Sequence, residues 1–195
     1  SFFGKVAVCE SMPDFERAIV PFLSKLFRAQ SVLVILFYRS SRPKIQFRWI
    51  PDADLRRTFD ANYADFSFML DPFFQQCWLT QDWSAFLLRD IAPDRFENSK
   101  YYASYFATTN MVDDMGFVAR LSEDIAVHLS VGRNSGERRF RARDMRKFEQ
   151  VSKVIQPKLC AILASKAGDA QISVLPLHQQ FRDICAANGK DISHR

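Results

Sequence analysis

The fold is decided by Gly116-Phe-Val-Ala-Arg-Leu-Ser-Glu-Asp-Ile-Ala-Val-His-Leu-Ser-Val-Gly-Arg133. The pattern predicts two antiparallel strands joined by a tight polar turn at residues 122–124. In the second strand Ile125, Val127, Leu129 and Val131 alternate with Ala126, His128, Ser130 and Gly132, which places one set on each face of a sheet. The second set is small rather than strongly polar. If both faces are covered, this small-residue face leaves a place for a ligand.

The same kind of pattern predicts a second hairpin and a helix on the N-terminal side. Ser31–Arg39 is β-branched and aromatic, and Lys44–Ile50 alternates apolar and polar residues, so we predict two strands with a turn at residues 40–43. A helix is predicted to start at Ser11 or Met12, just before an apolar stripe of helical spacing. Pro21 interrupts the stripe, so we expect the helix to kink or restart there.

On the C-terminal side, the spacing of apolar residues predicts two further helices. The longer helix runs from about Arg143 to Lys166, and Pro157 predicts a bend within it. A break follows at residues 168–171. A short helix then opens at Leu175-Pro176 and ends at Gly189, a residue typical of the position after a helix.

Between the two hairpins lies an aromatic, helix-rich segment, Tyr63–Phe106, which we call the insert. Asp52–Asn62 before it is predicted to be a helix capped by Asp52, and Ser99–Thr108 is predicted to be a second helix. With a hairpin on each side of the insert and a helix at each end, the order of elements predicts an α+β domain. The terminal helices cover one face of its antiparallel sheet and the insert covers the other.

Composition and charge exclude few classes of protein. No apolar run approaches the roughly 20 residues of a membrane helix, and charge at Lys5 and Glu10 argues against a signal peptide, so we predict a cytoplasmic protein with no membrane partner. The four cysteines are far apart and are predicted to be free thiols. The net charge of +5 suits either an anionic partner or a simple solvated surface. The arginine-rich segment 133–147 allows the same two interpretations, and we favour a solvated helix face.

The sequence contains no motif that predicts catalysis. It has no G-x-S-x-G elbow, phosphate-binding loop, dinucleotide-binding glycine signature or H-E-x-x-H helix, and its three histidines are scattered. Paired acids such as Asp113-Asp114 and Glu123-Asp124 are assigned to turns, without further ligands that would complete a metal site. We therefore predict a protein that is not an enzyme and that uses neither a metal nor a cofactor.

The insert is the best candidate for a binding site, because ligand pockets are mostly apolar with a few convergent polar groups. The candidate ligand-binding residues are Tyr63, Phe66, Asp71, Trp83, Phe86, Tyr102, Phe106 and His128. The simpler alternative is that the rings fill a core, and for any single Phe that alternative is favoured. Buried phenol, indole and carboxyl groups need partners, so for Tyr63, Trp83 and Asp71 ligand binding and core packing are more evenly balanced. His128 is more often explained as a core histidine bonded to a carbonyl.

Several stretches resemble the GAF-like sensor domain of LuxR-type bacterial transcription regulators. They are Gly116–Leu121, Ile125–Arg133, Phe140–Asp144, Ile155–Leu159, Asp71-Pro-Phe-Phe74 and Ser99-Lys-Tyr-Tyr102. The closing Ile192-Ser-His-Arg195 resembles the opening of the helix-turn-helix domain that follows such sensors. The resemblance implies a GAF/PAS-like sensor at residues 1–167, a linker with a short helix at 168–190 and the start of a DNA-binding domain at 191–195.

The resemblance also implies a function. Regulators of this type bind a small molecule in the sensor and form homodimers through terminal helices, and they contact DNA only through the C-terminal domain. Quorum-sensing members bind acyl-homoserine lactones with Tyr, Trp and Asp side chains, which Tyr63, Trp83 and Asp71 match in type and order. Phe59 stands where the family has a Trp, and the spacings differ. We therefore expect a small apolar or aromatic effector, with a lactone receptor or a ligand-free dimerisation module as alternatives.

Overall fold

The computed structural model describes residues 2–63 and 67–167. Six helices lie within these residues: α1 (Phe2–Ala7), α2 (Met12–Phe27), α3 (Ala53–Asn62), α4 (Pro72–Leu79), α5 (Leu88–Ile91) and α6 (Ala142–Ala167). Five strands accompany them: β1 (Ser31–Tyr38), β2 (Lys44–Trp49), β3 (Trp83–Leu87), β4 (Met111–Arg120) and β5 (Ile125–Asn134). Short 3-10 turns occur at Ser67–Leu70, Phe96–Asn98 and Ala107–Thr109, and a π-helical turn occurs at Tyr102–Phe106.

The strands form one antiparallel sheet in the order β2-β1-β5-β4-β3. The predicted central hairpin is confirmed as β4 and β5, and β4 begins five residues earlier than the quoted stretch, at Met111. The backbone N–H groups of Leu121 and Ser122 donate to the carbonyl of Ile125 at 2.9 and 3.1 Å and close the turn. The second predicted hairpin is confirmed as β1 and β2.

The fifth strand was not predicted from the sequence. Residues 83–87 were assigned to a helical insert, whereas the structure pairs Trp83–Leu87 with β4 at the edge of the sheet. This five-residue segment contains no β-branched residue and lies between helical segments, so local preference favours a strand only weakly. Its conformation is set by pairing with β4, in which Phe86 lies opposite Gly116.

The terminal helices α1, α2 and α6 cover one face of the sheet, which we call the terminal face. Their core includes Phe27, Phe117 and Phe148, with the Phe117 and Phe148 ring centroids 6.3 Å apart. Both α2 and α6 continue through their internal prolines, so the restart predicted at Pro21 does not occur. Packing of an apolar helix face outweighs the one backbone hydrogen bond that a proline removes.

The predicted helix start at Ser11 or Met12 is confirmed, with Ser11 as the N-cap of α2 and Met12 as its first residue. The Oγ of Ser11 accepts a hydrogen bond from the backbone N–H of Asp14 at 3.3 Å, as a helix N-cap does. We expect Ser11→Ala to lower the free energy of unfolding by about 1 kcal/mol, because an N–H of the first turn loses its acceptor. Ser24→Ala is the matched control, since Ser24 lies within α2 and only contacts the carbonyl of Pro21. Equal losses for the two variants in urea titrations would contradict the capping role.

The opposite face of the sheet, which we call the insert face, lies beneath α3, α4 and the short turns of the insert. A second cluster of buried apolar residues fills this layer, and it includes Phe68, Phe73 and Phe106. The predicted α+β arrangement of a sheet between terminal helices and an insert is therefore confirmed. The linker helix predicted at 168–190 and the start of a DNA-binding domain predicted at 191–195 lie outside the described residues.

Within the described part of the chain, every helix is too short or too polar to cross a lipid bilayer.

Candidate functional site

The insert face of the sheet has a floor of small and polar residues. Gly132 of β5 lies between Ser31 of β1 and Asp114 of β4 in the strand register. In the next register row on this face, Ser130 lies beside Gly116. A layer of small residues brings the sheet backbone close to whatever packs above it. The alternation seen in the sequence therefore places small side chains on the face of the sheet beneath the insert.

His128 occupies the middle of this face as a buried neutral histidine. Its Nδ1 lies 3.1 Å from the carbonyl oxygen of Phe117, and its ring stacks on Phe73 with centroids 4.3 Å apart. A Cβ atom on Gly116 would lie 2.5 Å from Cε1 of the His128 ring, so the glycine makes room for the imidazole. Burial lowers the pKa of His128 to about 4.

Asp71 joins the start of α4 to the rings of the insert. It is the N-cap of α4, and its Oδ1 accepts from the backbone N–H of Phe73 at 2.8 Å. Its Oδ2 accepts from the phenol of Tyr63 at 2.5 Å. Burial raises the pKa of Asp71 to about 6, although these hydrogen bonds oppose the shift. Asp71 is thus a buried acid that titrates close to neutral pH.

Four aromatic rings form a wall beside Asp71. Phe59 of α3 stacks on Tyr63 with centroids 5.0 Å apart, Tyr63 lies 5.1 Å from Tyr105, and Tyr105 lies 5.4 Å from Tyr101. All four rings are at least nine-tenths buried. We call Tyr63, Tyr101 and Tyr105 the tyrosine cluster. Burial, followed by the negative charge of Asp71, raises the pKa of each of these phenols, so they stay protonated.

Asp114 supplies a second buried carboxyl group on the insert face. The hydroxyl of Ser130 lies 2.9 Å from both of its oxygens. Burial raises the pKa of Asp114 well above its ordinary value, and the negative charges of Asp71 and Asp113 raise it further. Its neighbour Asp113 has a structural role instead, since it accepts from the backbone N–H of Phe140 at 2.7 Å and pairs with Arg89.

A small cavity of about 20 Å³ borders the aromatic wall near the ends of β1 and β5. Ser31, Phe59, Tyr105 and Met111 are among its lining residues. The Oγ of Ser31 is buried and has no hydrogen-bond partner within the described residues. This volume is enough for one water molecule. A larger effector therefore requires neighbouring side chains to move.

A larger cavity of about 520 Å³ lies on the terminal face, between α6 and the ends of β1 and β2. Leu36, Tyr38, Gln156 and Leu163 are among its lining residues. None of the described residues that line it is an Asp or a Glu, and it lies close to the end of α6. Its size alone does not make it the better candidate for a specific polar site.

The structure brings most of the candidates from the sequence together on the insert face. Tyr63 and Asp71 are hydrogen-bonded, His128 lies on the same face, and Phe106 is buried in the insert core. Tyr102 and Phe86 lie at the edge of that core, partly exposed. Phe66 lies outside the described residues.

Trp83 does not belong with this group. The structure places its side chain on the terminal face, where its ring packs edge-on against Phe117 with centroids 6.4 Å apart. The reason is strand alternation: Trp83 was assigned to a helical insert, but it begins β3, and its odd-numbered neighbours Ala85 and Leu87 share its face.

Sequence reasoning missed Phe59, Tyr101, Tyr105, Ser31 and Asp114 as parts of the site. For Asp114 a signal was available, since it lies two residues before Gly116 and therefore shares its face of the strand. Assigning residues 113 and 114 to a turn concealed that signal. The sequence prediction named Tyr102 instead of its neighbour Tyr101, whereas the structure buries Tyr101 and leaves Tyr102 partly exposed.

Comparison with known proteins identifies the fold. No family model and no curated protein sequence matches the chain. Among solved structures, the ligand-binding domain of VqsR from Pseudomonas aeruginosa matches with a TM-score of 0.65 at 24% identity, over 81% of this chain and 94% of that one. CepR2 from Burkholderia cenocepacia, an N-acylhomoserine-lactone-dependent LuxR-family transcription factor, matches with a TM-score of 0.59 at 13% identity, over 86% and 94%.

A third similar protein is SdiA. Its structure from Escherichia coli has a TM-score of 0.58 at 11% identity, over 87% of this chain and 67% of that one. Another SdiA structure is a complex with octanoyl-rac-glycerol, with a TM-score of 0.57 at 13% identity, over 97% and 75%. The chain therefore has the GAF-like fold of LuxR-family ligand-binding domains, and the fold implied by the sequence resemblance is confirmed.

Proposed function

We propose that this chain is the small-molecule-sensing domain of a LuxR-type bacterial transcription regulator. The effector binds between the insert face of the sheet and the insert, against Tyr63, Asp71 and the other buried residues of that layer. Phe66, Phe86, Tyr102, Phe106 and His128 remain proposed members or supports of the site, and Trp83 is not. The protein acts in the cytoplasm by regulation rather than by catalysis.

The observation that carries the proposal is the hydrogen-bonded pair Tyr63–Asp71, buried above a sheet face of small residues. A carboxyl group whose pKa is raised by burial is costly to the fold, and this cost offsets the stability that Asp71 contributes as the N-cap of α4. Such groups mark functional sites. The GAF-like fold supports the proposal, since the similar structures include the ligand-binding domain of VqsR, the lactone-dependent transcription factor CepR2 and a complex of SdiA with octanoyl-rac-glycerol.

The response to the effector is transmitted through the sheet. Strands β4 and β5 carry insert-face residues and, at alternate positions, residues such as Phe117 and Leu129 that pack beneath α2 and α6. A change in the insert layer therefore alters the surface of the sheet on which the terminal helices pack. We propose that these helices form a homodimer whose geometry controls DNA binding by a helix-turn-helix domain following Ile192–Arg195.

Thermal unfolding with small apolar and aromatic compounds tests the function. Octanoyl-rac-glycerol and N-octanoyl-homoserine lactone are suitable first probes. A true effector at 100 times its dissociation constant is expected to add about 2.7 kcal/mol to the free energy of unfolding. Asp71→Asn is expected to weaken the response, because the carboxylate acceptor is lost while Asn still caps α4.

Trp83→Phe is the matched control, because Trp83 lies on the terminal face. It is expected to leave the dissociation constant of the effector unchanged. Equal effects of Asp71→Asn and Trp83→Phe on binding would place the effector elsewhere.

A ligand-free dimerisation module is the second candidate, and the tight packing of the insert layer favours it. The aromatic wall leaves a cavity of only about 20 Å³ beside Tyr105. This function predicts a dimer in sedimentation experiments, no bound species in native mass spectra and no compound that raises the unfolding temperature.

A further inference from the structure

Two carboxyl groups on the insert face are buried without a cation. Asp71 accepts from the phenol of Tyr63 and from one backbone N–H, and Asp114 accepts from the hydroxyl of Ser130. Across residues 2–63 and 67–167, the ion pairs include neither acid. Asp113 shows the contrast, because the Arg89 guanidinium lies 3.4 Å from its carboxylate.

The same aromatic rings border both acids. Tyr63 donates to Asp71, and its ring centroid lies 5.1 Å from that of Tyr105. Tyr105 lines the same small cavity as Ser31, which lies two strands from Asp114 in the register. The negative charges of Asp71 and Asp114 each raise the pKa of Tyr105, which agrees with this placement. Phe59 and Tyr63 extend the wall. Faces of aromatic rings attract cations, and a carboxylate beside them strengthens that attraction.

On the insert face between the two acids and β1, one polar group lacks a hydrogen-bond partner among the described residues. Ser31 is 6% exposed, and its Oγ lines the small cavity without a hydrogen bond from the described residues. Gly132 separates Ser31 from Asp114 in the register, and the Met111 methyl group lies 2.9 Å from where a Gly132 Cβ would be. Methionine is unbranched and flexible, so this side chain yields space readily. A ligand that displaced it would reach both Ser31 and Asp114.

We propose that the effector carries a protonated amine, held between the carboxylates of Asp71 and Asp114 and against the rings of Tyr63 and Tyr105. This inference rests on the proposed function and names the class of its effector. An ammonium group has several N–H donors and no acceptor, which suits two carboxylates and one serine oxygen. A neutral effector of the same shape leaves both acids without a charge partner. The apolar surroundings require an apolar or aromatic body behind the amine.

Matched pairs of probes test the charge directly on the full 195-residue chain. The pairs are phenethylamine with 2-phenylethanol and octylamine with 1-octanol, titrated calorimetrically at neutral pH. At least one amine is expected to bind at least about 10-fold more tightly than its alcohol. Asp114→Asn is expected to reduce this amine's affinity at least about 10-fold and to leave the affinity of its alcohol unchanged. Asp94→Asn, at an exposed acid, is the matched control.

A second measurement needs no variant. Burial raises the pKa of Asp114 well above its ordinary value and favours its protonated form, so binding of an ammonium group beside Asp114 is expected to release a proton, and binding of an alcohol is not. Titrations in two buffers of different ionisation enthalpy measure this release.

Three results would overturn the inference: no amine binds, the alcohols bind as tightly as the amines, or binding of the amine is unaffected by Asp114→Asn and releases no protons. If octanoyl-rac-glycerol binds at the tyrosine cluster while the amines do not, the proposal of an amine effector is wrong and the sensing function stands. If every probe in both screens fails to bind, the sensing function falls as well.

Discussion

Gly116→Ala is expected to destabilise the protein by about 3 kcal/mol or more. A Cβ atom at this position would lie 2.4 Å from the backbone oxygen of Leu129 and 2.5 Å from the His128 ring. The Leu129 oxygen belongs to β5, in the middle of the sheet, and cannot move without separating β4 from β5. The measurement is the free energy of unfolding from urea titrations of wild type and variant.

Gly132 is the matched control for this prediction. A Cβ there would lie 2.3 Å from Oγ of Ser31 and 2.9 Å from Cε of Met111, which are both side-chain atoms. Adding Ser31→Ala to Gly132→Ala is therefore expected to recover most of the lost stability. The same second substitution is expected to do nothing for Gly116→Ala. Equal and mild effects at the two glycines would show that β4 and β5 do not approach each other as described.

Asp71 and His128 are expected to give pH dependences of opposite sign. The folded-state pKa of Asp71 is raised from 3.8 to about 6, so the folded state binds more protons than the unfolded chain in this range and stability falls as pH rises through it. The pKa of His128 is lowered from 6.5 to about 4, so the stability it contributes is present at neutral pH and is lost as pH falls.

Single variants separate these two contributions. Between pH 4 and 7, the cost of Asp71→Asn relative to wild type is expected to shrink by roughly 2–3 kcal/mol, because the ionisation penalty of the aspartate is absent from the variant. Over the same range, the cost of His128→Gln is expected to grow by roughly 2–3 kcal/mol. The reason is that wild type loses stability at low pH, where burial of the neutral imidazole opposes its protonation, whereas the variant has no imidazole. Urea titrations at a series of pH values measure both trends. A pH-independent cost for either variant would mean that its side chain is solvated.

The sequence was sufficient to predict the elements that have strong local signals. The alternation in 125–132 identified β5 and its small-residue face, and Ser11-Met12 marked the start of α2. The separation into a terminal face and an insert face followed from the order of elements. In each case the physical cause lies within a few residues of chain.

What the sequence could not supply depends on contacts between distant segments. The short β3 is a strand because β4 provides its hydrogen bonds, and this pairing moved Trp83 to the face opposite Asp71. The candidate site combines Asp71 with Tyr105 and Asp114, which both lie more than 30 residues further along the chain. No local pattern encodes such a site, although the strand phase of Asp114 was available once β4 was extended to Met111.

The central claim is that an effector binds on the insert face, beside the tyrosine cluster. The chain has five tyrosines, and they report on this directly when replaced by 3-fluorotyrosine and observed by ¹⁹F NMR. Tyr63, Tyr101 and Tyr105 lie in the site, Tyr102 lies at its edge, and Tyr38 lies on the terminal face. Single Tyr→Phe variants assign the five resonances.

On saturation with the compound that most raises the unfolding temperature, we predict that the resonances of Tyr63, Tyr101 and Tyr105 shift while that of Tyr38 stays in place. A shift of Tyr38 with the tyrosine cluster unchanged would contradict the account and place the effector beneath the terminal helices.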